Sequence, residues 1–182
     1  MQELAYSKLF NKENLTFILS VEFDNEKFLK FKEIGKNFIN LKLKEEFHLT
    51  IVGSSTSKYL SELEFDIFGN PVSNVLETLN EKTKFRIFLK EEYFLVNKKY
   101  SDKYFIINNQ NIEEFRESII QIVKCEQIKE YYEALNLHFK TSIPLPLPHI
   151  TIFTNSNNIE NIKRGIGIYS FDEFWKLNPT KL

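Results

Sequence analysis

The sequence predicts an α+β domain in which two groups of strands are each accompanied by at least one helix. Three observations support this class: a strand-like alternation near the N-terminus, helical spacing in several later segments, and one short His-containing strand in each half of the chain. The 182 residues fit a single domain, and no low-complexity linker separates the halves. We therefore expect residues 1–182 to form one domain with two lobes.

The first half of the chain reads as strands alternating with helices. Apolar and polar residues alternate over 14–24, which is typical of a half-buried strand. Asp24 then supplies a turn or a helix N-cap, and apolar residues recur at helical spacing over 28–38. Residues 57–68 are ambiguous, whereas 71–82 read as a helix with Pro in its first turn.

The second half reads as a meander, a long helix and a closing strand. Two strand-like runs over 83–97 and a third over 103–108 predict an antiparallel meander. Apolar residues at helical spacing over 112–135 predict one long amphipathic helix. Two glycines within 165–169 indicate a further strand that a ligand or another backbone approaches closely, and 170–174 resemble a capped helical turn.

The composition narrows the classes of function. The 24 Lys and Arg residues and the 25 Asp and Glu residues nearly cancel, so we expect no basic surface for gripping long nucleic acid by charge. Cys125 is the only cysteine, which excludes an intrachain disulfide, fits a reducing compartment and predicts a buried thiol. Neither a signal peptide nor a bilayer-spanning apolar run is visible. We expect a cytoplasmic monomer that does not associate with membranes.

One short motif occurs in both halves of the chain: His48-Leu49-Thr50-Ile51 and His149-Ile150-Thr151-Ile152. On a strand, residues i and i+2 point to the same side, so each His projects together with its Thr. Two imidazoles on opposite sides of a phosphorus can divide the work, one removing a proton and the other donating one to the leaving oxygen. The two hydroxyls can donate hydrogen bonds to the non-bridging oxygens. This scheme requires no metal and no cofactor.

The alternatives to a catalytic pair are weaker. A single His-x-Thr is a poor signal, and edge-strand histidines with satisfied side chains are the ordinary explanation, but the duplication and the matched aliphatic flanks favour catalysis. His138, the third histidine, has no Thr two residues later, and we expect a structural or helix-capping role. A zinc site made of His48, His138 and His149 would lack the closely spaced ligand pairs that zinc sites usually have.

Five further residues near the motifs are candidates for substrate binding. Ser54 follows the first motif, and Pro148 with the loop before it is a candidate cleft wall. Tyr169 is placed to stack on a base, and Lys163 and Arg164 to meet a phosphate. For each of them the alternative is structural: a turn, a packed aromatic ring or a solvated charge.

The paired motifs resemble the signature of the 2H phosphoesterase superfamily. That superfamily includes RNA 2',3'-cyclic phosphodiesterases, bacterial 2'-5' RNA ligase-like proteins and enzymes acting on 2'-5' oligonucleotides or cyclic dinucleotides. The resemblance covers the chain from roughly the first strand to the last. It implies a bilobal fold with pseudo-twofold symmetry, in which two antiparallel sheets form a central cleft with flanking helices. It also implies that His48, Thr50, His149 and Thr151 are catalytic, without saying which His is the acid.

We therefore expect a metal-independent phosphodiesterase whose substrate is a nucleotide or an RNA end with a 2',3'-cyclic, 2'-5'-linked or cyclic phosphate. A bell-shaped pH dependence should accompany this activity. The alternative is a non-catalytic RNA- or nucleotide-binding module that uses the same cleft. Basic patches and aromatic platforms would favour that alternative, and the near-zero net charge provides no such signal.

Overall fold

The apolar segments of the chain assemble one large antiparallel sheet that packs against helices. In the computed structural model the protein is mixed α+β, as predicted from the sequence. The structure describes residues 3–107 and 109–182, without the side chains of 101–104 and 107. The strands within this part are β1 (Glu3–Leu4), β2 (Tyr6–Asn11), β3 (Thr16–Val21), β4 (Lys42–Leu43), β5 (Phe47–Val52), β6 (Ile87–Ile107), β7 (Gln110–Lys124), β8 (His149–Ser156) and β9 (Thr180–Lys181). The α-helices are α1 (Asn25–Gly35), α2 (Ser54–Ser61), α3 (Val72–Lys82), α4 (Gln127–Phe139) and α5 (Phe171–Lys176).

The strands lie in the order β1-β6-β7-β8-β5-β3-β2, with β4 also paired to β8 and β9 to β6. The expectation of two separate antiparallel sheets is therefore wrong, because β5 and β8 pair and join both groups of strands into one sheet. The junction is narrow, since Leu49 opposite Ile150 is the one residue pair that registers these two strands. Both His-x-Thr strands thus lie side by side in the middle of the sheet.

Several sequence predictions are confirmed. The alternation over 14–24 forms β3, whose Phe17 and Leu19 are completely buried. Asp24 caps α1, its Oδ1 accepting a hydrogen bond from the Lys27 amide at 2.8 Å. Ser170 caps α5 in the same way, accepting from the Glu173 amide at 3.0 Å.

The long helix predicted over 112–135 is wrong. Its first part is the strand β7, and only the part after Glu126 is helical, as α4. β7 lies between β6 and β8 and is buried on both faces, so that neighbours such as Ile119 and Ile120 are both fully buried. A strand without a solvent face loses the period-two alternation, and its apolar residues then match helical spacing by coincidence.

Two other predictions need correction. The runs expected to form a meander over 83–107 belong to one long strand, β6, interrupted by register shifts at Leu89/Tyr93 and Tyr100/Tyr104; residue 108 lies outside the described part. The segment 165–169 is irregular rather than a strand. Its Ile166 and Ile168 pack on the sheet as side chains instead of pairing with it through the backbone. Finally, the ambiguous region 57–68 begins inside the helix α2, which spans Ser54–Ser61.

The buried residues form two apolar clusters. The larger one contains Leu49 and Ile150 and takes residues from α1, α2, α3 and α4, whereas the smaller one joins Ile120 and Ile122 of β7 to α5 and the segment 165–169. Cys125, between β7 and α4, is buried as predicted. None of the described helices is long and apolar enough to span a bilayer.

Candidate functional site

The register between β5 and β8 places both motifs on one face of the sheet. Because Leu49 lies opposite Ile150, His48 lies opposite Thr151 and Thr50 opposite His149. Leu49 and Ile150 point into the larger core and are fully buried, whereas the four polar side chains of the motifs point the other way and are half-buried. The two histidines line the same cavity, and a charge on His149 acts on His48.

All four motif residues line a single cavity of about 410 Å³. Four of the five further candidates, Ser54, Lys163, Arg164 and Tyr169, also line it. Pro148 is not among the described residues that do; its carbonyl accepts a hydrogen bond from the Val123 amide at 3.0 Å, which fixes the backbone at the start of β8. The loop before it contributes Pro146 and Leu147 to the wall instead.

The His149 ring is held in one orientation by the backbone. Its Nδ1 lies 2.8 Å from the carbonyl oxygen of Leu147, which can only accept a hydrogen bond. Nδ1 therefore carries a proton, and Nε2 is the atom that exchanges protons with a ligand. Burial lowers the pKa of His149, and the hydrogen bond to Leu147 opposes that shift because it favours the charged ring.

His48 stands in a more cationic environment. Burial lowers its pKa to about 4, and the charges of Lys44 and His149 act in the same direction. The Lys44 ammonium, whose own pKa is lowered by burial, donates to the Lys163 carbonyl at 3.3 Å. In the free protein the His48 imidazole is thus neutral over the physiological range and ready to accept a proton.

Glycines allow the backbone to approach both threonines. A Cβ atom on Gly165 would lie 3.0 Å from Thr151 Oγ1, and one on Gly53 would lie 3.3 Å from Thr50 Cγ2. The sequence predicts a backbone or a ligand close to the glycines of 165–169, whereas the group beside Gly165 is the side chain of Thr151. Each threonine side chain therefore occupies space that a side chain on the facing glycine would need.

Tyr169 closes the cavity at the end where α2 begins. Its hydroxyl lies 3.2 Å from Ser54 Oγ, and a Cβ atom on Gly167 would lie only 2.5 Å from that hydroxyl. The Tyr169 amide donates to the Glu173 carboxylate at 2.8 Å, and Glu173 also pairs with Lys98. The ring is therefore anchored between α2 and α5.

Sequence reasoning missed several residues of the cavity wall, of which Lys44 and Arg116 carry charge. Arg116 is 5% exposed, pairs with Glu114 at 2.6 Å and donates to the Gly165 carbonyl at 3.2 Å. Its guanidinium also lies 4.7 Å from the ring centre of Tyr100, another lining residue.

A strand interpretation of 110–124 would have placed Arg116 on the same face as Ile120 and Ile122, and so on the cavity side.

The cavity is basic even though the chain is not. Four cationic side chains line it, and no Asp or Glu is among its described lining residues. Those cations are Lys44, Arg116, Lys163 and Arg164. Such a lining favours an anionic ligand, which the net charge of −1 does not reveal.

The third histidine lies outside this cavity. His138 Nδ1 is 3.0 Å from Asp66 Oδ2, in the loop between α2 and α3. Burial would raise the pKa of Asp66, but the hydrogen bonds from Asn70, His138 and Phe68 outweigh it and lower that pKa. This contact agrees with a structural role for His138. Within 3–107 and 109–182, no group of three or more His, Cys, Asp or Glu residues is arranged to hold a metal ion.

Comparison with protein-family models, curated proteins and solved structures finds no match to this chain. The site itself must therefore carry the functional argument.

Proposed function

We propose that the protein is a phosphodiesterase with a bilobal 2H phosphoesterase-like fold, acting on a 2',3'-cyclic, 2'-5'-linked or cyclic nucleotide or RNA end. The observation that carries the proposal is the register of β5 and β8, which brings two His-x-Thr pairs to one face of the sheet inside one cavity. The cationic lining supports a phosphate as the ligand.

The surroundings of the two histidines support a division of labour. His48, with its pKa lowered to about 4, is the base that removes a proton from the attacking water. His149, whose Nδ1 donates to the Leu147 carbonyl, is the acid that donates its Nε2 proton to the leaving ribose oxygen. A new bond forms between phosphorus and the water oxygen as the bond to the leaving oxygen breaks.

The threonines support the same scheme. Thr151 lies opposite His48 and Thr50 opposite His149, so that each imidazole has a hydroxyl across from it on the neighbouring strand. A phosphate between the histidines would have its non-bridging oxygens within reach of these donors. Hydrogen bonds of this kind strengthen as charge builds up on those oxygens in the transition state.

The experiment is a hydrolysis assay on 2',3'-cyclic nucleotides, 2'-5'-linked dinucleotides and cyclic dinucleotides, with and without EDTA. We expect turnover that EDTA leaves unchanged. His48→Ala and His149→Ala should each lower kcat by about a hundred- to ten-thousandfold, the usual loss on removing a general acid or base. His138→Ala is the matched control, since this third histidine lies outside the cavity, and its activity per folded molecule should equal the wild type.

Two outcomes would contradict the scheme. Undiminished turnover in either cavity variant would exclude the paired-histidine mechanism, and turnover that stops with EDTA would indicate a metal. Nucleotide binding without turnover of any substrate would favour the alternative of a non-catalytic binding module.

A further inference from the structure

A second cavity opens beside the first one. Its volume is about 300 Å³, and Thr56 and Tyr169 line both cavities, so that the two are adjacent. A volume of this size is in the range of small-ligand sites. A molecule bound between the histidines therefore has this second cavity as its neighbour on the side of Tyr169.

The second cavity differs from the first in chemistry. Its lining residues are Tyr59, Tyr169, Ile143 and Pro144 together with the hydroxyl-bearing Ser55, Thr56 and Ser142, and no charged residue is among those described. Aromatic and apolar walls bind flat uncharged rings by stacking and by excluding water. The three hydroxyl groups of this cavity carry no charge, so a phosphate is attracted more strongly to the four cationic side chains of the first cavity.

One wall of the second cavity is preformed. Asn136 of α4 accepts from the Ile143 amide at 2.8 Å and donates to the Ile143 carbonyl at 3.0 Å. The Thr141 hydroxyl donates to the same Asn136 oxygen at 2.8 Å. Ligand binding therefore does not have to order this segment, which lowers the entropic cost of using it.

The two cavities lie at different ends of the site, and the charged side chains lie at only one of these ends. The Thr50 end of β5 leads to Gly53 and Tyr169 and so to the aromatic cavity. The opposite end, where Thr151 lies beside Gly165, leads to Arg116, whose buried Nη2 has no hydrogen-bond partner among the side chains that the structure describes. Lys44, Lys163 and Arg164 line only the first cavity. Uncharged and anionic parts of a ligand are thus drawn to opposite ends.

We propose that the aromatic cavity is the subsite for the nucleobase attached to the reacting phosphate, with Tyr59 and Tyr169 as its stacking surfaces. This inference rests on the proposed phosphodiesterase function. It assigns one orientation to the substrate: the base lies on the Thr50 and His149 side of the phosphate, and further anionic groups lie toward Arg116.

Tyr59 is the residue to change. It is 44% exposed on α2, so its truncation leaves the core intact, and it belongs to the aromatic cavity alone. Tyr59→Ala removes the stacking surface, whereas Tyr59→Phe keeps it. Lys58→Ala, an exposed neighbour on the same helix that lines neither cavity, controls for perturbation of α2.

The test compares two substrates that differ only in the presence of a base: a nucleoside 2',3'-cyclic phosphate and glycerol 1,2-cyclic phosphate. For Tyr59→Ala we expect kcat/KM to fall about tenfold or more on the nucleotide, which is the usual loss on removing one stacking ring, and to change less than about twofold on the baseless substrate. Tyr59→Phe and Lys58→Ala should match the wild type on both. An equal loss on both substrates, or no loss on the nucleotide, would overturn the subsite.

A binding experiment tests the nucleobase subsite independently of the proposed phosphodiesterase activity. The double variant His48→Ala/His149→Ala is titrated calorimetrically with a nucleoside 3'-monophosphate and with inorganic phosphate, with and without Tyr59→Ala. Tighter binding of the nucleotide that is lost with Tyr59→Ala supports the subsite, even if no substrate is turned over and the phosphodiesterase proposal fails. Equal affinity for both ligands overturns the subsite, even if turnover is found.

Discussion

At the scale of single residues, His48 and His149 have related positions in the sheet but different surroundings. Burial lowers the pKa of both, while only His48 also feels Lys44 and only His149 donates to a backbone carbonyl. The base of an acid-base pair works when neutral and the acid when protonated. Related motifs on neighbouring strands can thus perform opposite tasks because their neighbours differ.

The pH dependence of kcat/KM follows from these pKa values. The rate should fall below about pH 4, where His48 becomes protonated. It should also fall as the pH rises through the pKa of His149, which lies below the ordinary 6.5, because the acid then loses its proton. We therefore expect a bell-shaped pH profile of kcat/KM with its maximum below pH 7. The profile of kcat should lie at higher pH, because a bound anionic phosphate raises both pKa values.

Lys44→Gln tests the cause of this profile. Removing the charge raises the pKa of His48, so the acid limb of the kcat/KM profile should move to higher pH. Lys42→Gln is the matched control, since Lys42 is exposed and is not among the described residues lining the cavity. An acid limb that stays in place in Lys44→Gln, or moves equally in both variants, would contradict the electrostatic explanation.

At the scale of elements, the irregular segment 165–169 positions the site without belonging to the sheet. Gly165 leaves the space that Thr151 occupies, its carbonyl accepts from Arg116, and the Tyr169 hydroxyl lies 3.2 Å from Ser54 Oγ. A regular strand there would point its backbone groups at a neighbouring strand rather than at these side chains. The segment is held by Ile166 and Ile168 in the smaller core.

Gly165→Ala should lower kcat/KM more than it lowers the stability of the fold. The new Cβ atom would lie 3.0 Å from Thr151 Oγ1, so the hydroxyl must shift by a few tenths of an ångström. We expect kcat/KM to fall roughly five- to tenfold, since a misplacement of about 1 Å costs about a hundredfold. Steady-state kinetics and thermal melting measure the two effects separately.

Gly35→Ala provides the matched contrast. Its Cβ atom would lie 2.8 Å from the ring of Phe153, in the larger core, and not against a motif residue. Overpacking of about 1–3 kcal/mol outweighs the gain of about 0.5–1 kcal/mol from replacing a helical glycine. The free energy of unfolding should fall while activity per folded molecule is kept. The reverse pattern in either variant would argue against Gly165 as a positioning residue.

At the scale of the whole molecule, a single buried thiol reports on the integrity of the fold. Cys125 is 5% exposed between β7 and α4, and burial raises its pKa to about 11. At pH 8 only about one thiol in a thousand is then ionised, and the thiolate is the reactive form. The native protein should therefore resist thiol reagents.

Labelling of Cys125 with iodoacetamide across a urea titration should follow the loss of circular dichroism. The midpoints should coincide, because β7 and α4 both pack against the larger core. Cys125→Ala provides the background rate. Rapid labelling at zero urea with the secondary structure intact would mean that the junction between β7 and α4 opens locally.

Local pattern alone determined the elements with one solvent-facing side. Alternation defined β3, Asp24 capped α1 as expected, and each His-x-Thr pair occupies a short strand that projects its two polar side chains together. These features depend on residues only a few positions apart, and that is the range over which periodicity and capping act.

The sheet topology and the surroundings of the motifs depend on contacts between residues far apart in the chain. The pairing of Leu49 with Ile150 merged the expected two sheets and set the motifs side by side, and no local pattern specifies a contact between residues so distant in the chain. Because β7 is buried on both faces, its apolar residues show a helical spacing. Neither the strand nor the position of Arg116 beside the cavity could therefore be predicted from that pattern. The local pattern therefore identifies the four side chains that the proposed chemistry would use. Long-range strand pairing decided how they meet and which charges surround them, since register is a property of two strands together.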